Sequence, residues 1–169
     1  MGSPFSPSLR AALFCILQLG LGFTAELSHA QSRKPTATEI AAIRDCATKN
    51  KDNLDEGERQ CLFNLVAKRC INKPLGDASD SIVVDCYRIE NLIWDGLLND
   101  NYKALLATLD DSQTAKARLM QRAWTAYRDT TCQFYDDKIQ GSMAVAMHAA
   151  CETRESARRA MLLRFFSGL

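Results

Sequence analysis

The chain reads as all-α, a small disulfide-stapled helical bundle of about five helices. Two observations carry that reading. Apolar residues recur at spacings of three and four through most of residues 36–169, the period of helices that bury one face against a core. Six of the seven cysteines also remain once an export leader is set aside, and an even set in a short exported chain reads as three disulfides.

The leader is residues 1–30. Arg10 is the only charge ahead of an apolar run from Ala11 to Ala25, and Ser28-His29-Ala30 places small residues where a cleavage site needs them. Gln18 inside the run and Glu26 after it make the segment too short for a membrane span. Phe14 immediately before Cys15 argues against a lipoprotein signal. The mature chain then begins at Gln31, periplasmic or secreted, with no membrane span of its own. Removing Arg10 and Glu26 takes one cation and one anion from 21 and 20, so the net charge stays at +1. Such a balance predicts no nucleic-acid partner.

The mature chain has no repeat and no long linker, and at this length it buries one core as a single domain. Residues 31–83 are expected to form a cysteine-bearing helical hairpin. Its first helix spans about Thr36 to Asn50, with Thr36 or Thr38 as cap. The polar stretch Lys51 to Asn53 interrupts it, and a second helix follows from about Asp55 to Cys70, where Leu62, Leu65, Val66 and Arg69 fall at helical spacing. Asn72, Pro74 and Gly76 then mark a break.

Residues 84–169 are expected to form the core, packed with the hairpin as one domain. Cys86, Ile89, Ile93, Leu97, Asn101 and Leu105 run with Glu90, Trp94, Leu98 and Leu109 along one broad stripe, which predicts a long core-facing helix ending near Asp110-Asp111. Ser112 is placed to cap the next helix, from about Gln113 to Phe134 or Tyr135. A polar turn with Asp136, Asp137, Lys138 and Gly141 precedes a last helix that carries Cys151, Arg154, Arg158, Met161, Leu162 and Phe165 on one side.

The stretch QRAWTAYRDTTC, residues 121–132, organises the rest. At about 3.6 residues per turn, Trp124, Arg128 and Cys132 stack on one face with Tyr127 and Thr131 alongside. The stripe holds no nucleophile beside a base, so it reads as a packing seam. Arg128 is expected to pair with a carboxylate of a neighbouring helix, Asp95 or Glu90, or with carbonyls at a helix end, because Asp129 points about 100° away on the same helix. Trp94 and Tyr102 are expected to pack in the core, and Asp95, Asn99, Asp129 and Arg159 to belong to the same structural seam.

Cys132 near the end of one helix and Cys151 early in the next predict a bridge across an antiparallel hairpin. Cys61 and Cys70, nine residues apart on one expected helix, point to opposite sides. Hairpins centred near residues 53 and 78 favour Cys46–Cys61 and Cys70–Cys86, with crossed pairings as the alternative.

Trp94-Asp95, Leu98-Asn99 and Tyr102, then Gln121, Ala123-Trp124, Tyr127-Arg128-Asp129 and Cys132, then Gly141-Ser142, Cys151, Ala157, Arg159, Ala160 and Leu163 resemble the lysozyme-inhibitor LprI-like family of exported bacterial proteins. The resemblance covers about residues 84 to 165 and is most specific from Trp124 to Cys132. Residues 36 to 83 look like the cysteine-bearing extension that precedes this core in some relatives. Ser156 departs from the family, which usually has Thr there, but keeps the hydroxyl. The resemblance implies a helical exported protein with no catalytic residue and no cofactor, in a family where at least one member blocks lysozyme and most have no assigned activity; the first expectation is a binding protein that occupies lysozyme or a related envelope glycosidase. It leaves an interaction protein with another partner as the alternative.

The residues agree with a non-enzymatic reading. The mature chain has one histidine, His148, no C-x-x-C pair, no G-x-S-x-G and no phosphate-binding glycine loop. No metal site is expected. The acidic pairs Asp110-Asp111 and Asp136-Asp137 read as helix ends and solvated turns. For a partner, the turn Asp136 to Met143 is the expected contact: Lys138 and Ser142 would offer a cation and a hydroxyl, and Gly141 a close backbone approach.

Overall fold

A computed structural model describes residues 33–72 and 79–169; the expected leader, residues 1–30, lies outside the described residues. Among the described residues six helices follow one another: α1 (Ala37–Lys49), α2 (Leu54–Cys61), α3 (Ala67–Ile71), α4 (Asp80–Leu106), α5 (Asp111–Ile139) and α6 (Ser142–Ser167). No strand occurs among the described residues.

Each start has a local cause. Thr36 and Glu39 form a capping box, Oγ1 accepting from the Glu39 N–H while the Glu39 carboxylate accepts from the Thr36 N–H. Asn53 caps α2 by accepting from the Glu56 N–H. Asp110, rather than the expected Ser112, caps α5, in a reciprocal box with Gln113. The long helix accordingly stops at Leu106, and α5 starts two residues ahead of the expected Gln113.

The expected single helix Asp55–Cys70 is two helices. Leu62–Val66 is a tight turn in which Phe63 adopts a left-handed φ of 62°. Its freed amides find a partner far away in sequence: the Glu90 carboxylate accepts from the Phe63 N–H at 2.7 Å and from the Ala67 N–H at 2.8 Å. Asn64 Nδ2 donates to the Arg59 carbonyl at 2.8 Å and closes the end of α2. Two interactions thus make the break a lower-energy course than continued helix.

Packing centres on α6, which lies along α4 on one side and α5 on the other, while α4 and α5 scarcely meet. The core stripe of α4 is the expected one, burying Cys86, Ile89, Glu90, Ile93, Trp94, Leu97, Leu98 and Leu105. Opposite it α6 buries Ala157, Ala160, Met161 and Leu163, and small residues there let the two backbones approach closely. Asn101 Nδ2 donates to the Ala160 carbonyl at 2.8 Å, and Thr153 Oγ1 to the Tyr87 carbonyl at 3.1 Å, which fixes the register of the pair. Ile43 and Ala47 of α1, with Leu62 and Val66 from the turn between α2 and α3, close the other side of this core. Arg158 grips Glu58 through Nε and Nη2 at 2.9 and 2.6 Å, tying α6 to α2.

Three bridges staple the bundle: Cys46–Cys61, Cys70–Cys86 and Cys132–Cys151, with Cα separations of 5.7, 5.7 and 5.5 Å. These are the hairpin pairings; no crossed pair forms. No helix among the described residues is long and apolar enough to cross a membrane.

Candidate functional site

Helix α5 differs from its neighbours. Across 29 residues it buries only Ala117 and Cys132, and its one extensive partner is α6. The Cys132–Cys151 bridge fixes its far end to α6, and Asp136 reinforces that end by meeting His148 Nδ1 at 2.6 Å. The α5–α6 hairpin therefore projects most of α5 into solvent on a rigid base.

The expected contact turn is shorter than the sequence suggests. Asp136, Asp137 and Lys138 lie in the last turn of α5, and only Gln140 and Gly141 connect the helices. Both take positive φ, 62° and 78°, a conformation that favours glycine at the second position. Gly141 is the N-cap of α6 and brings no side-chain cap. Lys138, Gly141 and Ser142 are all exposed. Around them Phe134 is 62% and Met143 63% exposed, with Val145 and Met147 beyond, so the hairpin end mixes a cation and a hydroxyl with apolar side chains. The apolar part carried no signal in the sequence, since Phe134, Met143 and Val145 fall on helices whose periodicity suits burial.

The seam residues divide into three groups. Trp94 is fully buried, its Nε1–H donating to Glu90 at 3.1 Å, and Arg159 is 5% exposed. Tyr102, Trp124 and Arg128 are half-buried. Asp95, Asn99, Tyr127 and Asp129 are exposed, which corrects their expected place in a packed seam. Asn99 Nδ2 donates to Asp95 at 3.1 Å along the outside of α4.

Arg128 also departs from expectation. Its Nε and Nη2 donate to Asp129 Oδ1 at 2.9 and 2.7 Å, while its guanidinium lies 5.0 Å from the Trp124 ring centroid. Neither Asp95 nor Glu90 is its partner: the first bonds Asn99, and the second is consumed by Phe63, Ala67 and Trp94. A flexible guanidinium laid back over the indole reaches the next residue despite the angle between their Cβ directions.

Arg159 stands against the same indole, 5.5 Å from its centroid, and its Nε donates to Gln121 Oε1 at 2.9 Å. Burial pushes its pKa down, and the Tyr102 hydroxyl acts in the opposite sense. Tyr102 from α4 and Gln121 and Trp124 from α5 thus gather around Arg159 of α6. Further along the same α6 face, Arg88, Asp136, His148 and Glu152 line a cavity of about 370 Å³. Among the described residues no group of three or more His, Cys, Asp or Glu side chains is placed to hold a metal ion.

The family model described as lysozyme inhibitor LprI matches residues 70–163, more than half the chain, from Cys70 at the end of α3 through nearly all of α6. The matched segment contains the α4–α6 pair, the α5–α6 hairpin and two of the three bridges. No curated protein and no solved structure matches the chain.

Proposed function

Because the chain belongs to the lysozyme inhibitor LprI family, we propose that it is an exported, non-enzymatic binding protein that occupies lysozyme or a related envelope glycosidase through the end of its α5–α6 hairpin. The family match carries this reading. Three disulfides in a chain of this size fit an oxidising compartment, in keeping with export and removal of residues 1–30. The hairpin end supplies what such a target asks for. A retaining glycosidase works with two carboxylates about 5 Å apart in a cleft, and Lys138 with Ser142 offers a cation and a hydroxyl beside exposed Phe134 and Met143. The bridge behind them lowers the ordering cost of binding.

The net charge of +1 favours a second reading, a periplasmic interaction protein with a different partner, since a basic enzyme is steered faster to an acidic inhibitor. Titrating the mature protein into a lysozyme cell-wall lysis assay separates the two. Stoichiometric loss of lysis supports inhibition; unchanged lysis at a large excess of the protein leaves the second reading.

A further inference from the structure

Two arginines of this chain, Arg128 and Arg158, present one edge of the guanidinium, Nε with Nη2, to a carboxylate, and a third, Arg159, has only half of that edge engaged. For Arg128 the acceptor is the carboxylate of Asp129, and for Arg158 it is the carboxylate of Glu58. Arg159 is the exception. Its Nε reaches only the neutral amide oxygen of Gln121, and its Nη2 is buried with no hydrogen-bond partner. It is also the most buried of the three, 5% exposed, and among the described residues it has no salt bridge. A guanidinium withdrawn from water without an anion is costly, and a half-filled fork matches a carboxylate in shape and charge.

Arg159 is buried where three helices meet: Gln121 and Trp124 of α5 and Tyr102 of α4, all half-buried, gather around it. α4 and α5 pack on α6 but scarcely on each other. His148, Glu152 and Arg159 share one face of α6 by their spacing of four and seven. The cavity lined by Arg88, Asp136, His148 and Glu152 contains its own carboxylates and does not include Arg159; the carboxylate nearest in sequence to Trp124, Asp129, is bonded to Arg128.

We propose that the Nε/Nη2 edge of Arg159 is a receptor for a carboxylate ligand, which displaces the Gln121 amide and makes two parallel charge-assisted hydrogen bonds to the guanidinium. Gln121 then serves as a neutral gate that holds the fork open-ended while the site is empty. Trp124, stacked between Arg128 and Arg159, reports and orients the pair. This goes beyond the inhibitor reading and does not depend on it, since the ligand carboxylate comes either from a small free acid or from a side chain of the protein partner.

The test uses the mature chain and sodium acetate, with sodium chloride at matched ionic strength as reference. The Arg159 Nε–H resonance is followed in protein with labelled arginine. Acetate is expected to shift it saturably and chloride is not. Gln121→Ala, which removes the competing amide, is expected to lower the acetate midpoint several-fold. Gln121→Glu places a carboxylate of the chain itself on the fork, and is expected to abolish the acetate response while leaving the circular dichroism unchanged. An Arg159 signal unmoved by acetate overturns the proposal, as does an equal response in wild type and Gln121→Glu or an unchanged midpoint in Gln121→Ala. Acetate is then added to the lysozyme assay: weakened inhibition in wild type assigns the site to a partner side chain, and unchanged inhibition beside a saturable shift assigns it to a free acid.

Discussion

Glu90 and Ala67 are joined by a 2.8 Å hydrogen bond from a backbone N–H of α3 to a carboxylate buried in α4. Nothing local caps α3, so a side chain 23 residues away in sequence takes that role. The same carboxylate also holds the Phe63 amide and the Trp94 indole. Glu90→Ala strands three donors, two of them buried, and is expected to lower stability by several kcal/mol, at roughly 1 to 3 kcal/mol for each donor left unpaired. Glu90→Gln keeps an acceptor but turns an amide N–H toward a donor, and is expected to cost about 2 kcal/mol. Urea unfolding of both variants checks the order.

Acid dependence follows from Glu39. Its hydrogen bonds from Arg33 hold its pKa down to about 2 against an ordinary 4.5. The unfolded chain then binds the proton first, so the stability this group adds is complete above pH 4.5 and is lost as pH falls from 4.5 to 2. Glu90 acts in the opposite sense, because burial raises its pKa: the folded chain takes up that proton first, and stability from this group falls as pH rises through the raised value. Removing Arg33 as Arg33→Ala is expected to flatten the acid limb between pH 4.5 and 2, read from unfolding midpoints across that range.

The six cysteines of the described residues are all bridged, so thiol titration of folded protein that begins at Gln31 is expected to find none free. The double change Cys132→Ser with Cys151→Ser opens a loop of about 20 residues and is expected to cost roughly 3 kcal/mol. Two or more free thiols in the wild type would contradict the stapled fold.

Arg128 is tied to an exposed carboxylate and a half-buried indole rather than to a buried anion. Arg128→Ala is therefore expected to cost about 1 kcal/mol, mostly its cation–π contact, and Asp129→Asn less than that. Thermal unfolding of the two variants measures the difference.

What the sequence made legible was periodic and local. The α4 stripe from Cys86 to Leu105, the cysteine-bearing hairpins and the Gly141 breaker are read directly from spacing and residue type. What escaped was decided by distant partners or by side-chain reach. The break at Phe63 depends on Glu90, 27 residues away, while Leu62, Leu65 and Val66 keep a helical pattern through it. Arg128 meets Asp129 because its long side chain folds back over Trp124, which Cβ directions do not reveal. Helix α5 continues through Asp136-Asp137-Lys138 because charged residues solvate a last helical turn as readily as a loop, and it stops only where Gln140 and Gly141 take positive φ. At the candidate site, Lys138 and Ser142 were visible as polar residues near a breaker, whereas the exposure of Phe134 and Met143 depends on α5 having only one extensive partner, α6.

The hairpin end is tested most directly by lysozyme inhibition with the wild-type mature chain, Lys138→Ala and Ser142→Ala, each verified as folded by its thermal transition. Both residues are exposed, so neither change is expected to lower stability by more than about 0.5 kcal/mol. The account predicts inhibition by wild type, with a midpoint at least about tenfold weaker for Lys138→Ala, the loss of one charge-assisted contact of about 1.4 kcal/mol, and a smaller loss for Ser142→Ala. Wild type and both variants inhibiting with equal midpoints would contradict it.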